Sequence, residues 1–156
     1  MGFVMSVTVI GNCAELDQHT TPTLSIPLFL EHVSAGFPSP AQDYVEDTLD
    51  LNTLCIQRPA ATFFVRAEGE SMVDAGIFPS DILVVDRSIT AAHGDIVIAS
   101  LHGEMTVKQL ELHPRVRLLP RNPKYPPINI SDESELEIFG VVTSVVRRIQ
   151  RQHQHA

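Results

Sequence analysis

Positive charge is missing from the first third of this 156-residue chain. No Lys or Arg precedes Arg58, while seven acids do: Glu15, Asp17, Glu31, Asp43, Glu46, Asp47 and Asp50. A head that grips DNA phosphates is excluded there. Over the whole chain 19 acids against 11 bases leave a net charge of -8, not the balance of a nucleic-acid binder. From Arg58 onward the 11 bases meet 12 acids, so that part is nearly neutral. Cysteine is scarce: Cys13 and Cys55 form neither a metal spacing nor a disulfide framework, and read as reduced thiols of a cytoplasmic protein. No apolar run is long enough to span a bilayer. The start, MGFVMSVTVIGNC, has no basic leader and only a short apolar run, which argues against a signal peptide. Internal repeats and low-complexity segments are also lacking. The seven histidines are scattered, and the terminal HQH reads as a solvated tail, so neither a metal nor a cofactor is expected.

What is present is enough apolar matter for a core. Hydrophobic residues make up 44% and charged ones 19%, which suits one domain with an arm or tail. Residues 1–38 show no sustained period. SIPLFLEHV (25–33) is a short apolar piece able to lie on a surface, and SAGFPSP (34–40) is an extended junction. Ser39 and Pro40 suit the N-cap and N1 of a short helix over Ala41–Asp47, and Asp50 suits the cap of another turn through Leu54, stopped by Pro59.

Beyond that point the apolar period becomes two. TFFVRAEG (62–69), DILVVD (81–86), DIVIASL (95–101), EMTVKQLEL (104–112), RVRLL (115–119) and ELEIFGVVTSVVRRI (135–149) read as strands. His102-Gly103 fits a two-residue hairpin loop, Gly140 a bulge or bend, and PRNPKYPPINI (120–130) a proline-rich loop. The fold class is mainly β: a compact β core carrying an N-terminal arm.

One stretch inside this core carries chemistry. In AEGESMVDAG (67–76), Ser71 follows a glycine and an acid, a setting for a nucleophile. A serine hydroxyl needs a neighbour that takes its proton. His93, His102 and His113 are candidates for a Ser-His-Asp arrangement, but all three sit in turns that face solvent. The chain has two lysines. Lys124 lies in the proline-rich loop, where it stays charged. Lys108 lies mid-strand, sharing a face with Thr106 and Leu110. Burial there favours the neutral amine, which can act as general base. Backbone N–H groups of the turn at Ser71 and Met72 are candidates for an oxyanion hole. From the residues alone, a Ser-Lys pair, a histidine-assisted serine and a plain turn serine with a snorkelling lysine all stay open.

The order of several segments narrows the choice. SAGFPSPAQDYVE (34–46), GESM (69–72), GIFPSDILVVDRSITAAHGDIVIA (76–99), TVKQL (106–110) and FGVV (139–142) together closely resemble the UmuD family of SOS mutagenesis proteins, which belongs with the LexA-type self-cleaving serine peptidases. The resemblance runs over roughly residues 25–147 and leaves the first two dozen residues and RQHQHA unassigned. It implies a LexA/signal-peptidase-like compact β domain with a mobile N-terminal arm: residues 1–38 as the arm, 39–149 as the peptidase-like domain and 150–156 as a polar tail. It implies Ser71 as nucleophile, Lys108 as general base and Ala35-Gly36 as the bond the protein cuts in itself. It further implies a homodimer, stimulation by a RecA filament on single-stranded DNA, and a cut form that serves a Y-family (UmuC-like) polymerase as accessory subunit in translesion synthesis. Sequence-specific DNA binding, a membrane and a cofactor have no place in that picture, and the setting is the cytoplasm.

Three other classes compete. A LexA- or phage-type repressor needs a helix-turn-helix head, and the stretch before Ala35 is short and without Lys or Arg. A signal peptidase with the same pair needs a membrane anchor. A catalytically silent interaction module of the same fold has no need of Ser71 and Lys108.

Overall fold

The computed structural model describes residues 7–12, 26–29 and 45–152. It divides into two compact units: one holds the first 16 residues and everything from Arg58 on, the other residues 17–57.

In the smaller unit, β2 (Ile26–Phe29) and β3 (Val45–Leu49) form a two-stranded antiparallel sheet. Helix α1 (Leu51–Cys55) follows. The Asp50 carboxylate caps it, accepting from the Asn52 amide and the Thr53 hydroxyl at 3.0 Å each, as the sequence reading expected. The helix expected over Ala41–Asp47 is corrected from Val45 on: residues 45–49 are strand. The cap signal of Ser39-Pro40 is local and weak, whereas pairing Val45–Leu49 with β2 satisfies a whole ladder of backbone groups. Residues 39–44 lie outside the described residues. SIPLFLEHV, read as a surface piece, supplies β2.

The larger unit is an eight-stranded antiparallel sheet of β1 (Val7–Asn12), β4 (Thr62–Ala67), β5 (Ile82–Asp86), β6 (Ile96–Leu101), β7 (Glu104–Glu111), β8 (Arg117–Leu119), β9 (Ile128–Asn129) and β10 (Leu136–Val146). Its strand order is β1-β4-β5-β10-β6-β7-β8-β9. All six strands read from the sequence are present, and the mainly β fold class holds. β1 and β9 are additions: Ile128–Asn129 pairs with β8 and corrects the end of the loop read over 120–130, while in β1 Val7 and Val9 alternate with Thr8, but the register against β4 slips between Val9 and Gly11, which hides the period. The β6–β7 turn places His102 at φ 53° and Gly103 at φ 81°, the left-handed pair of a tight hairpin.

Successive residues feed opposite faces of the sheet. Val65, Ala67, Met72, Ile77, Leu83, Val85, Ile98 and Val107 make one core; Val97, Ala99, Leu110, Leu118 and Val141 make another. Mid-strand in β7, Thr106, Val107 and Lys108 are all buried, so both faces of this strand are covered. That is how a lysine comes to be enclosed. β10 joins the sheet's two halves, pairing with β5 on one side and β6 on the other. Its register shifts between Ile138 and Gly140, the bulge read from the sequence. A Cβ on Gly140 would lie 2.6 Å from Val85 Cγ1 and 3.2 Å from the Asp86 carbonyl oxygen, so the crossing needs glycine.

Candidate active site

The loop from Glu68 to Ser80 joins β4 to β5 and carries Ser71. Its base is closed by two backbone bonds, Ala67 N–H to the Asp81 carbonyl (2.9 Å) and Ser80 N–H to the Ala67 carbonyl (2.7 Å). Gly69 turns into it at φ 88°. Met72 anchors it: the side chain is fully buried in the first core, and its carbonyl accepts from the amides of Ala75 and Ile77. Burial of a methionine contributes about 2 kcal/mol, enough to fix the residue beside it. Asp81 secures the far end. Burial pushes this carboxyl up, but hydrogen bonds from Arg147 and the Phe78 amide, and the Arg147 charge, outweigh it and hold it below the usual range.

Ser71 itself is 0% exposed. Lys108 is 1% exposed, and its Nζ lies 3.0 Å from Ser71 Oγ, 2.8 Å from Thr106 Oγ1 and 3.1 Å from the Val107 carbonyl oxygen. Burial pushes the amine down from 10.5 to about 8. A neutral amine has two N–H bonds and one lone pair. The Thr106 hydroxyl and the Val107 carbonyl can accept the two N–H bonds, which turns the lone pair toward the Ser71 hydroxyl. Removing a proton from a serine needs that arrangement. Among the described residues, neither the Ser71 nor the Met72 amide donates a hydrogen bond, which leaves both N–H groups unspent at the nucleophile.

Ser71, Lys108 and Met72 thus come together, from a loop and a strand 37 residues apart. The histidines do not join them. His93 and His113 stack on each other, and His93 Nδ1 accepts from the Leu112 amide; His102 is exposed beside Glu135. Lys124 is exposed, as read. Ala35 and Gly36 lie outside the described residues. Three groups at the site escaped the sequence reading. Thr106 was placed on the right face but given no role. Arg121 donates its amide to the Ser71 carbonyl (2.8 Å), and Asn122 donates its side-chain amide to the Glu70 carbonyl (2.9 Å). An Asn between two prolines was the only signal for them. Among the described residues, no three His, Cys, Asp or Glu side chains are grouped to hold a metal, and no helix is long and apolar enough to cross a membrane.

A buried serine hydroxyl thus faces a buried lysine in the unit built on a curled antiparallel sheet. Residues 27–143 match the family model described as Peptidase S24-like, and the chain belongs to that family of self-cleaving serine peptidases. SamA of Salmonella typhimurium is 56% identical over 122 residues, covering 78% of this chain and 85% of SamA. MucA of Escherichia coli is 52% identical over 120 residues (76% and 82%), and ImpA of Shigella flexneri 55% over 122 (78% and 83%). These are UmuD-family proteins, which sets the chain on that branch, as the residue blocks implied.

Proposed function

We propose that this chain is a UmuD-like autoprotease of SOS mutagenesis, with Ser71 as nucleophile and Lys108 as general base. The single observation that carries the reading is the enclosed 3.0 Å approach of Lys108 Nζ to Ser71 Oγ. The substrate is the bond Ala35-Gly36 of the same chain or of a dimer mate. Lys108, neutral, accepts the Ser71 proton as Oγ attacks the Ala35 carbonyl carbon. The carbonyl oxygen becomes an oxyanion facing the Ser71 and Met72 amides. Lys108 then hands its proton to the departing Gly36 amine as the C–N bond breaks. A water, activated by the same amine, hydrolyses the Ala35 ester and frees Ser71. Because the substrate is held on the protein, its effective concentration is high, and a modest base suffices for a single cut.

In this reading residues 1–38 act as the arm, 39–149 as the peptidase-like domain and 150–156 as the tail, all in the cytoplasm. A RecA filament on single-stranded DNA favours the reactive pose, and the form beginning at Gly36 pairs with itself and serves a Y-family translesion polymerase. The net charge of -8 supports a signal that arrives through protein rather than through DNA contact. The test is to incubate the purified chain at alkaline pH, or with RecA, single-stranded DNA and a nucleotide, and to weigh the fragments. Cleavage between residues 35 and 36 is expected, abolished by Ser71→Ala and by Lys108→Ala. Cleavage at another bond would refute the substrate assignment, and continued cleavage by Lys108→Ala would refute the base.

A further inference from the structure

The Ser71 loop and the strand that carries Lys108 are both tied to one short segment, residues 119–122. On the loop side, the Arg121 amide donates to the Ser71 carbonyl and the Arg121 carbonyl accepts from the Asp74 amide, at 2.8 Å each. The Asn122 side chain adds a third bond, its Nδ2 donating to the Glu70 carbonyl at 2.9 Å. Residues 70, 71 and 74 are therefore held from the same side. On the strand side, Leu119 pairs with Gln109, the neighbour of Lys108, and the Arg121 guanidinium donates to Gln109 Oε1 at 3.3 Å. The segment is itself stiff. Asn122 Oδ1 accepts from the Lys124 amide at 3.0 Å, the Asn122 carbonyl accepts from the Tyr125 amide at 3.1 Å, and Pro120 and Pro123 flank the pair.

We propose that residues 119–122 form a strap that keeps the Ser71 loop in register with Lys108, and that Asn122 is its positioning residue. Asn122 touches neither reacting group. It acts by fixing the peptide between Glu70 and Ser71, and so the direction in which Oγ points. Two backbone bonds alone form a hinge about Arg121; the Asn122 bond lies off that hinge and removes the rotation. Without it the loop can swing, Oγ leaves the lysine lone pair, and water enters between them. The proposal rests on the Ser-Lys reading for its effect on cleavage, but not for its effect on the lysine.

Two variants separate the parts of the Asn122 side chain. Asn122→Ala removes both of its bonds. Asn122→Asp keeps the acceptor that caps the turn at Lys124 but sets a carboxylate oxygen against the Glu70 carbonyl. Self-cleavage is followed by mass, and the lysine amines are titrated by NMR in 13C-lysine protein. The chain has only two lysines, so the Lys108 signal is assigned by its loss in Lys108→Met. In both variants the cleavage rate at saturating pH is expected to fall by about tenfold or more, and the Lys108 midpoint to rise. If the full-length parent cuts and both variants cut as fast with the Lys108 midpoint unmoved, the strap proposal is wrong. It is equally wrong if the rate falls only in step with a lowered melting temperature while the midpoint stays put. Should the parent not cut at all, the midpoint still decides: a rise in both variants upholds the strap and refutes the peptidase reading, and an unmoved midpoint refutes the strap.

Discussion

Replacing Lys108 by methionine should make this protein more stable at neutral pH, by an amount that falls as the pH rises. The comparison is best made between Ser71→Ala and Ser71→Ala/Lys108→Met, neither of which can cleave itself. The amine is pushed from 10.5 to about 8 because folding removes it from water. Below about pH 8 the unfolded chain and the folded chain both hold the proton, and the fold bears the full cost of enclosing a cation. Two and a half pH units correspond to about 3 kcal/mol at pH 7. Between about pH 8 and pH 10.5 the folded amine has lost its proton while the unfolded one still carries it, so stability rises with pH and the cost falls to about 1 kcal/mol at pH 9.5. Methionine fills the space with no charge. It also forfeits the amine's bonds to Thr106 and Val107, a loss of about 1 kcal/mol each that is offset in part by packing. These losses depend little on pH. The stability gap between the two variants should thus shrink by about 2 kcal/mol from pH 7 to pH 9.5. Urea unfolding followed by far-UV circular dichroism measures it in a chain without tryptophan. A gap that stays constant across this range would show that Lys108 is not a depressed amine, and the base assigned to Ser71 would lose its physical footing.

The rate of self-cleavage should rise about tenfold from pH 7 to pH 9 and then level off, tracking the neutral fraction of an amine with a midpoint near 8; a profile with a midpoint near 6.5 would point back to histidine. Lys108→Arg should abolish cleavage in a folded protein, because a guanidinium stays charged at any usable pH; fragment mass and a melting curve check both halves. Gly140→Ala should destabilise by about 1–3 kcal/mol through the clash with Val85 and the Asp86 carbonyl, and denaturant midpoints measure it. Arg147→Ala should lower the melting temperature by leaving buried Asp81 without its guanidinium, which donates to both carboxylate oxygens. Because the Asp81 carboxyl is held low, the wild type's advantage over this variant should be present at neutral pH and fade as pH falls through the acid range.

Six of the strands from Thr62 onward were legible because each is a short run of apolar and β-branched residues set between turn residues, a signal that is written locally; β9 was not, since two residues inside a proline-rich stretch show no period. β1 was not, since a single slip at Gly11 breaks a six-residue pattern. The stretch at Val45 was misread for a related reason: a helix cap is a local signal, and the partner strand that overrules it lies some twenty residues earlier. Of the candidate site, Ser71 and Lys108 were legible from opposite kinds of evidence. Ser71 stood out by its glycine turn. Lys108 stood out as a charge inside an apolar strand in a chain nearly without lysine. Arg121 and Asn122 were invisible because they act through backbone carbonyls some fifty residues away. No side-chain pattern records such a contact.

The place of β10 in the sheet has a consequence for the newly made chain. Ser71 belongs to the half built from β4 and β5, and Lys108 to the half built from β6 and β7; the two halves are hydrogen-bonded into one sheet through β10, the last described strand in chain order. A ribosome therefore releases Ser71, Lys108 and the segment around Ala35 before it releases the strand that joins the two halves. A nascent chain stopped ahead of Leu136 carries every reactive group and lacks that strand. On the proposed Ser-Lys reading, the order of synthesis would delay the cut until β10 has joined the two halves.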